Sequence, residues 1–390
     1  MDLNNKTTIL ITCGPSLEEY LQGEVEGLGY VVNSSHHGGV EITGTLDDCM
    51  RLNLHLRTAY NVLYLLRKFK CLQPDQLYYN VSQIEWEDII PVDEYLSIVT
   101  RVNTPSIDNT MYAGMKTKDA IVDRIMQETG KRPNSGKERN NLVFNLYWKD
   151  DRAWLYLNTS GKKLSDRNYR KIPFIAPMRE SLAAAVVTET GYDGTAAFVN
   201  PMCGSGTLAI EAALLACERP AGSLRGNFGF MHLKGFDDEK WQAIRREATK
   251  SKRQRKNAPV IAPIIATDIS EGAINIARRS AITAGVDHLI DFQVCDFADT
   301  PVPEGEGVVI LNPGYGERMG EESELETTYK KIGDFFKQSC KGYTGYIFTG
   351  NPKLGKKVGL RTSKRTIFFT GKIECRLLKY ELYGGTRKNI

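Results

Sequence analysis

Four short apolar runs, each breaking at its end into a polar or glycine-rich turn, constrain the fold of this 390-residue chain more than any other feature. Ala196-Ala197-Phe198-Val199 leads into Asn200-Pro201-Met202-Cys203-Gly204-Ser205-Gly206-Thr207, and a helical pattern from Thr207 to Ala216 leads out. Ile264-Ile265-Ala266-Thr267 ends in Asp268 and precedes a helical segment from Gly272 to Gly285. Phe292-Gln293-Val294-Cys295 ends in Asp296, and Val308-Val309-Ile310-Leu311 breaks into Asn312-Pro313-Gly314-Tyr315. Apolar runs too short for helices, alternating with helical patterns, predict an α/β domain built on a parallel sheet. In open sheets of this kind ligands bind beyond the carboxyl ends of the strands, so the four breaks are the candidate site.

Each break has a chemistry. The glycines of Asn200–Thr207 let backbone N–H groups and a helix N-terminus approach a ligand closely. No Lys-Ser or Lys-Thr follows the second glycine, and the full G-x-G-x-x-G fingerprint is absent, so a nucleoside cofactor without a pyrophosphate fits best. Asp268 is suited to ribose hydroxyls and Asp296 to an adenine amino group, with Ile269 and Phe297 adjoining them. The Asn312 amide oxygen and the Pro313 carbonyl can accept both hydrogens of an exocyclic amine on a flat base, and the Tyr315 ring can stack on that base.

In this order the motifs resemble those of class I S-adenosylmethionine-dependent amino-group methyltransferases. More narrowly the chain resembles the THUMP-domain RNA methyltransferases of the bacterial guanine-N2 type, which act on large-subunit ribosomal RNA and often carry the label of N6-adenine-specific DNA methylases. The narrower likeness rests on Lys116–Asp123, Gly130-Lys131-Arg132-Pro133, Leu157–Gly161, Asn227-Phe228-Gly229-Phe230 and Gly371–Leu377, and it covers essentially the whole chain. The resemblance implies S-adenosylmethionine as cofactor, held by Asn200, Pro201, Cys203, Gly204, Ser205, Gly206, Thr207, Asp268, Ile269, Asp296 and Phe297. It implies catalysis by Asn312, Pro313 and Tyr315. The family loop usually reads Asn-Pro-Pro-Tyr; Gly314 here costs about 0.5–1 kcal/mol more backbone entropy on ordering. Where the family usually has His-Lys-Arg-Gly-Tyr-Arg, this chain has Ser165-Asp166-Arg167-Asn168-Tyr169-Arg170.

Charge distribution points the same way. The net charge of +4 is only mildly basic, but basic residues cluster at 245–256, at 162–171 and at 353–365. Such clusters around a base-modifying site are suited to phosphate contacts, which supply affinity rather than sequence choice. The RNA-contact candidates are Lys116, Lys118, Arg132, Lys162, Lys163, Arg167, Arg170, Arg253 and Arg255. The expected partner is 23S ribosomal RNA or its precursor. The eight cysteines lack C-x-x-C spacing and the five histidines are scattered, so neither a metal nor a disulfide framework is expected. With no long apolar stretch and no signal-like N-terminus, a cytoplasmic protein is expected; the oligomeric state stays open.

Four pieces follow along the chain: an α+β ferredoxin-like unit over 1–65, a second α+β unit over 66–160 that the resemblance assigns to a THUMP module, a linker over 161–178, and a Rossmann-like methyltransferase domain over 179–390. In the first piece Thr7–Thr12 reads as a strand and Ser16–Leu28 as a helix opened by a Ser16–Glu19 capping box. Leu46–Leu66 has helical spacing of Leu and Ala. Asn141–Tyr147 and Ala153–Leu157 read as paired strands, and Thr366–Thr370 with Lys372–Leu382 as a terminal hairpin.

Overall fold

The computed structural model describes residues 3, 5–172, 177–253, 261–314 and 322–383. The elements run β1 (Thr7–Cys13), α1 (Glu18–Gly27), β2 (Val32–His36), β3 (Gly39–Gly44), α2 (Leu46–His55), β4 (Ala59–Lys70), α3 (Pro74–Ser82), α4 (Trp86–Ile89), β5 (Tyr95–Asn103), α5 (Thr110–Thr129), β6 (Asn134–Gly136), β7 (Leu142–Lys149) and β8 (Arg152–Asn158). There follow α6 (Glu180–Glu189), β9 (Ala197–Asn200), α7 (Thr207–Ala216), α8 (Asp238–Arg253), β10 (Ile264–Asp268), α9 (Glu271–Ala284), β11 (Ile290–Val294), β12 (Gly307–Leu311), α10 (Glu322–Ser339), β13 (Thr344–Thr349), α11 (Pro352–Gly355), β14 (Lys364–Thr370) and β15 (Ile373–Glu381). The chain divides into two compact units: residues 1–13, 21–166 and 225–251 form one, and residues 14–20, 167–224 and 252–390 the other.

The first unit is built on one eight-stranded sheet, in the order β2-β3-β1-β4-β8-β7-β5-β6. Because β4 runs through residue 65 and pairs with both β1 and β8, the two expected α+β pieces share this sheet. The single helix expected over 46–66 is corrected: α2 stops at His55, where Leu56 turns extended, and β4 begins at Ala59. Val62, Leu63, Tyr64 and Leu66 are all buried, and a strand covered on both faces shows no period-2 alternation to tell it from a helix. The Ser16 capping box is also corrected. Ser16 has φ 62, not the extended conformation of an N-cap, and the reciprocal box forms instead between Thr45 and Asp48 at the start of α2.

Two further stretches depart from the expected domain plan. Residues 225–251, placed by sequence in the catalytic domain, fold with the first unit. Phe228, Phe230 and Trp241 pack ring on ring there, and Gly229 lies so close to the Asn158 carbonyl that a Cβ would fall 2.3 Å from it. The start of the expected linker is tied down too. The Arg225 guanidinium donates to the carbonyls of Ser160, Lys163 and Asp166 at 3.0, 2.7 and 3.1 Å.

The second unit holds a seven-stranded sheet, β11-β10-β9-β12-β13-β15-β14. The strands β11, β10, β9, β12 and β13 are parallel, and β15 and β14 close the edge antiparallel as the expected hairpin. All four residues of β9 and most of β12 are buried, as expected where helices cover both faces of a parallel sheet. The chain passes from β9 to β10 on one side and returns to β12 on the other. The crevice at this switch point is where such sheets bind ligands.

Candidate active site

The strand ends converge on a cavity of about 450 Å³ in the second unit, within the range of small-molecule sites. Asn200, Cys203, Gly204, Ser205, Thr207, Asp268, Ile269, Asp296, Phe297, Asn312 and Pro313 all line it. Pro201 and Gly206 do not: Pro201 is buried behind Asn200, while Gly206 caps α7 in the left-handed region, φ 73. A Cβ on Gly206 would meet the Ala277 side chain at 2.8 Å, so this glycine serves both the turn and the packing of α7 against α9. Tyr315 lies outside the described residues.

The glycine turn is shaped by hydrogen bonds to β10. The Asp268 carboxylate accepts from the backbone N–H of Gly204 at 2.9 Å and of Ser270 at 2.9 Å, and the Cys203 N–H donates to the Thr267 carbonyl at 2.9 Å. Met202 and Gly204 both have positive φ, 53 and 54, so the backbone curls around the carboxylate. Burial, followed by the adjacent Asp268 charge, pushes the Cys203 thiol up; it is a neutral wall rather than a nucleophile. Asp296 is exposed beyond β11, where its carboxylate caps a 3-10 turn by accepting from Ala298 N–H at 2.9 Å. Ile269, 73% exposed, adds an apolar surface to the same cavity wall.

Two amides stand apart from this network. The Asn200 Nδ2 donates to the Ile310 carbonyl at 2.9 Å, holding the end of β9 to β12. Among the described residues, the buried Oδ1 atoms of Asn200 and Asn312 have no hydrogen-bond partner. Leaving a buried acceptor unsatisfied costs about 1–3 kcal/mol, and such a cost at a cavity wall marks a place where a ligand supplies the donor. Behind the Asn312 loop, the buried Tyr329 hydroxyl approaches the Gly314 carbonyl at 3.5 Å and the Thr349 hydroxyl at 2.8 Å.

The donor set fits a nucleoside cofactor. Two carboxylates able to accept from hydroxyls and an amine, Asp268 and Asp296, line one cavity with the apolar Ile269 and Phe297. Among the described residues, no group of three or more His, Cys, Asp or Glu side chains could hold a metal ion.

A methyltransferase domain described as RMKL-like matches residues 167–379. The chain belongs to this RMKL-like methyltransferase family. A ferredoxin-like domain of the RlmL type matches residues 8–63 and a THUMP domain residues 73–158. A Psychromonas ingrahamii protein named ribosomal RNA large subunit methyltransferase K/L is 38% identical over 375 residues, covering 95% of this chain and 50% of that protein. The chain thus spans about half the length of that relative. A Synechocystis protein named "Putative RNA methyltransferase slr0064" is 32% identical over 372 residues, covering 95% and 96% of the two chains. Among solved structures, a Listeria monocytogenes chain described as a predicted N6-adenine-specific DNA methylase superposes with a TM-score of 0.84 at 28% identity, covering 96% of each chain.

The basic candidates fare unevenly. Arg167 is corrected: it is 1% exposed and lies against the buried Glu211 carboxylate at 3.3 Å, an acceptor shared with the Tyr169 hydroxyl at 3.1 Å. It holds α7 rather than a phosphate. Arg170 is turned inward as well, donating to the Met178 carbonyl and Thr207 Oγ1, each at 3.0 Å, and pairing with Glu180 at 3.5 Å. Both corrections have one cause: a basic cluster in sequence does not show which members meet buried acids. Lys162 and Lys163 are exposed, with the Lys163 ammonium 4.5 Å from the Tyr60 ring centroid. Lys116 pairs with Asp75 at 3.5 Å, Lys118 with Asp119 at 2.9 Å and Arg132 with Asp123 at 3.7 Å. Arg253 ends α8, and Arg255 lies outside the described residues. Sequence reasoning missed Pro177, Met178, Met202, Leu208, Thr328 and Lys331, which with Gly314 complete the cavity wall. Of these, Thr328 and Lys331 had a signal, since i,i+3 spacing on a helix after the catalytic loop puts both on one face.

Proposed function

We propose that this chain transfers a methyl group from S-adenosylmethionine to the exocyclic amine of an RNA base, most specifically guanine N2 in 23S ribosomal RNA or its precursor. The observation that carries this reading is the buried Asn312 Oδ1, without a partner among the described residues, at the switch point of a methyltransferase sheet. An exocyclic amine is the donor that satisfies it. The cofactor, when bound, supplies a methyl group on a positively charged sulfur. Asp268 and Asp296 would hold its hydroxyls and its adenine amine, with the Gly204 turn and Ile269 shaping the walls.

The chain's own contribution is positioning. An amine conjugated into a base ring is a poor nucleophile. Two acceptors, Asn312 Oδ1 and the Pro313 carbonyl, fix its hydrogens and so aim the nitrogen, and the proton displaced by the methyl group passes to water; this is orientation and electrostatic catalysis without a strong base. The target base must leave its stack to reach them, and Tyr315 is assigned to replace part of the lost stacking. The family's label of adenine-N6 DNA methylase describes the same amine chemistry; the THUMP match over 73–158 favours RNA. The reading implies a cytoplasmic location, and it assigns the first unit to RNA capture and the second to transfer.

Nucleoside analysis of ribosomal and transfer RNA from a strain lacking the gene tests this reading. Loss of one N2-methylguanosine from large-subunit RNA, restored by the wild-type chain and not by Asn312→Ala, is expected. An unchanged modification profile in every RNA class would overturn it.

A further inference from the structure

The first unit carries a second cavity, of about 710 Å³, on the open face of its eight-stranded sheet. The register explains its lining. Lys68 pairs with Trp154, Trp154 with Tyr147 and Tyr147 with Arg101, so these four side chains form one row across β4, β8, β7 and β5. One step further along the same strands Lys70, Arg152 and Lys149 form a second row on that face. All five basic residues are exposed. The alternate positions Trp148, Ala153 and Leu155 are buried on the other face, as strand alternation requires. Helix α5 packs against the sheet through β5, and its buried positions include Ala120, Ile121 and Ile125.

The rings are built into the face. The Lys68 ammonium lies 5.5 Å from the Trp154 ring centroid, and Tyr147 packs on Tyr156 at 5.6 Å. Trp154 and Tyr147 are half-buried against Leu10, Leu63 and Tyr156, which fixes their rings while leaving surface open. Among the described residues that line the cavity, Glu41 is the one carboxylate, and it stands beside His36 at 3.8 Å.

The geometry points to a binding site for single-stranded RNA on this face, with bases stacked on Trp154 and Tyr147 and phosphates held by Lys68, Arg101, Lys149 and Arg152. None of these residues belongs to the basic clusters found in the sequence. Fixed rings interleaved with cations are the means by which proteins hold unpaired strands, because every base presents a π-face. A duplex keeps its bases stacked and would meet only the cations. This rests on reading RNA as the substrate, and it adds a capture surface made wholly within the first unit.

The test uses the full chain and a fluorescein-labelled, mixed-sequence RNA strand of about twelve nucleotides, within the span of known single-strand sites. Trp154→Ala should weaken binding roughly five- to hundredfold, and Trp154→Phe should retain most of it, since stacking on a ring is what counts. Lys149→Glu/Arg152→Glu, at exposed positions that do not enter the core, should weaken binding and flatten its salt dependence by about 0.7 in log–log slope for each phosphate no longer neutralised. Wild-type affinity in that double variant would overturn the site. So would equal binding of blunt duplex RNA that ignores Trp154→Ala, which would mean a phosphate tract without stacking. Methyl transfer is measured alongside. Unchanged strand binding by the face variants in a chain that methylates RNA removes the face and keeps the proposed function. Face-dependent binding in a chain that methylates no RNA keeps the face and removes the function.

Discussion

The two sheets of this molecule use their surfaces in opposite ways. The central parallel strands of the second unit are buried on both faces: all of β9 and nearly all of β12 and β13 are inaccessible. Their ends meet the cavity, and there the carboxylates, the glycines and two amide oxygens without a partner among the described residues gather. The mixed sheet of the first unit has one face open toward the ends of β4 and β7 and the start of β8. Along β7 and β8 buried positions alternate with Tyr147, Lys149, Arg152 and Trp154. A sheet covered twice concentrates chemistry at a point, whereas a sheet covered once offers an area. The first suits a reaction on one atom, and the second suits holding a polymer.

The largest effect that could break this comparison concerns how the buried sheet is supported. Glu211→Ala removes a carboxylate partner of the buried Arg167 guanidinium and of the Tyr169 hydroxyl. Breaking a buried ion pair this way costs about 3–5 kcal/mol, so chemical denaturation should show a loss of that order. Stability within about 1 kcal/mol of wild type, the scale of an exposed pair, would mean that the ion pair is not buried as described.

Asp268→Ala comes next. The carboxylate accepts from Gly204 and Ser270 and is assigned to ribose hydroxyls. Hydrogen bonds to charged groups are worth about 1.5–3 kcal/mol each, so calorimetry should show S-adenosylmethionine affinity reduced at least tenfold, with RNA affinity nearly unchanged. A parallel loss of RNA affinity would blur the division between point and area.

Tyr329→Phe should give the smallest change. Its hydroxyl bridges Gly314 and Thr349, and a net hydrogen bond contributes about 0.5–1.5 kcal/mol. Turnover should fall by less than about tenfold at unaltered cofactor affinity. Burial pushes this phenol up to about 12, so it remains a donor throughout the neutral range and the effect should not vary with pH there. A turnover defect that titrates near neutrality would assign the loop's support to another group.

Much of the second unit was legible because its signals are local. A short apolar run, a glycine turn and a helix pattern each announce themselves within ten residues, and β9, α7, β10 and β12 fall where the sequence puts them. The strand expected to end at Asp296 stops at Val294, since Asp296 turns to cap the next 3-10 turn. What the sequence hid is long-range. Arg167 reads as a surface base until Glu211, inside an otherwise apolar helix, is found against it. Residues 225–251 read as part of the catalytic domain because nothing local says that Gly229 packs on Asn158. The open-face rows were invisible for the same reason. Lys68, Arg101, Tyr147 and Trp154 are scattered over almost ninety positions, and only strand register brings them side by side.

The central claim is that the strand-end amide acts on the target amine and hardly on anything else. Single-turnover methyl transfer by Asn312→Ala, with saturating cofactor and RNA lacking the modification, tests it most directly when cofactor and RNA affinities are measured on the same sample. The account predicts transfer abolished with both affinities within a few-fold of wild type. Near-wild-type transfer by Asn312→Ala would contradict it and move the chemistry elsewhere in the cavity.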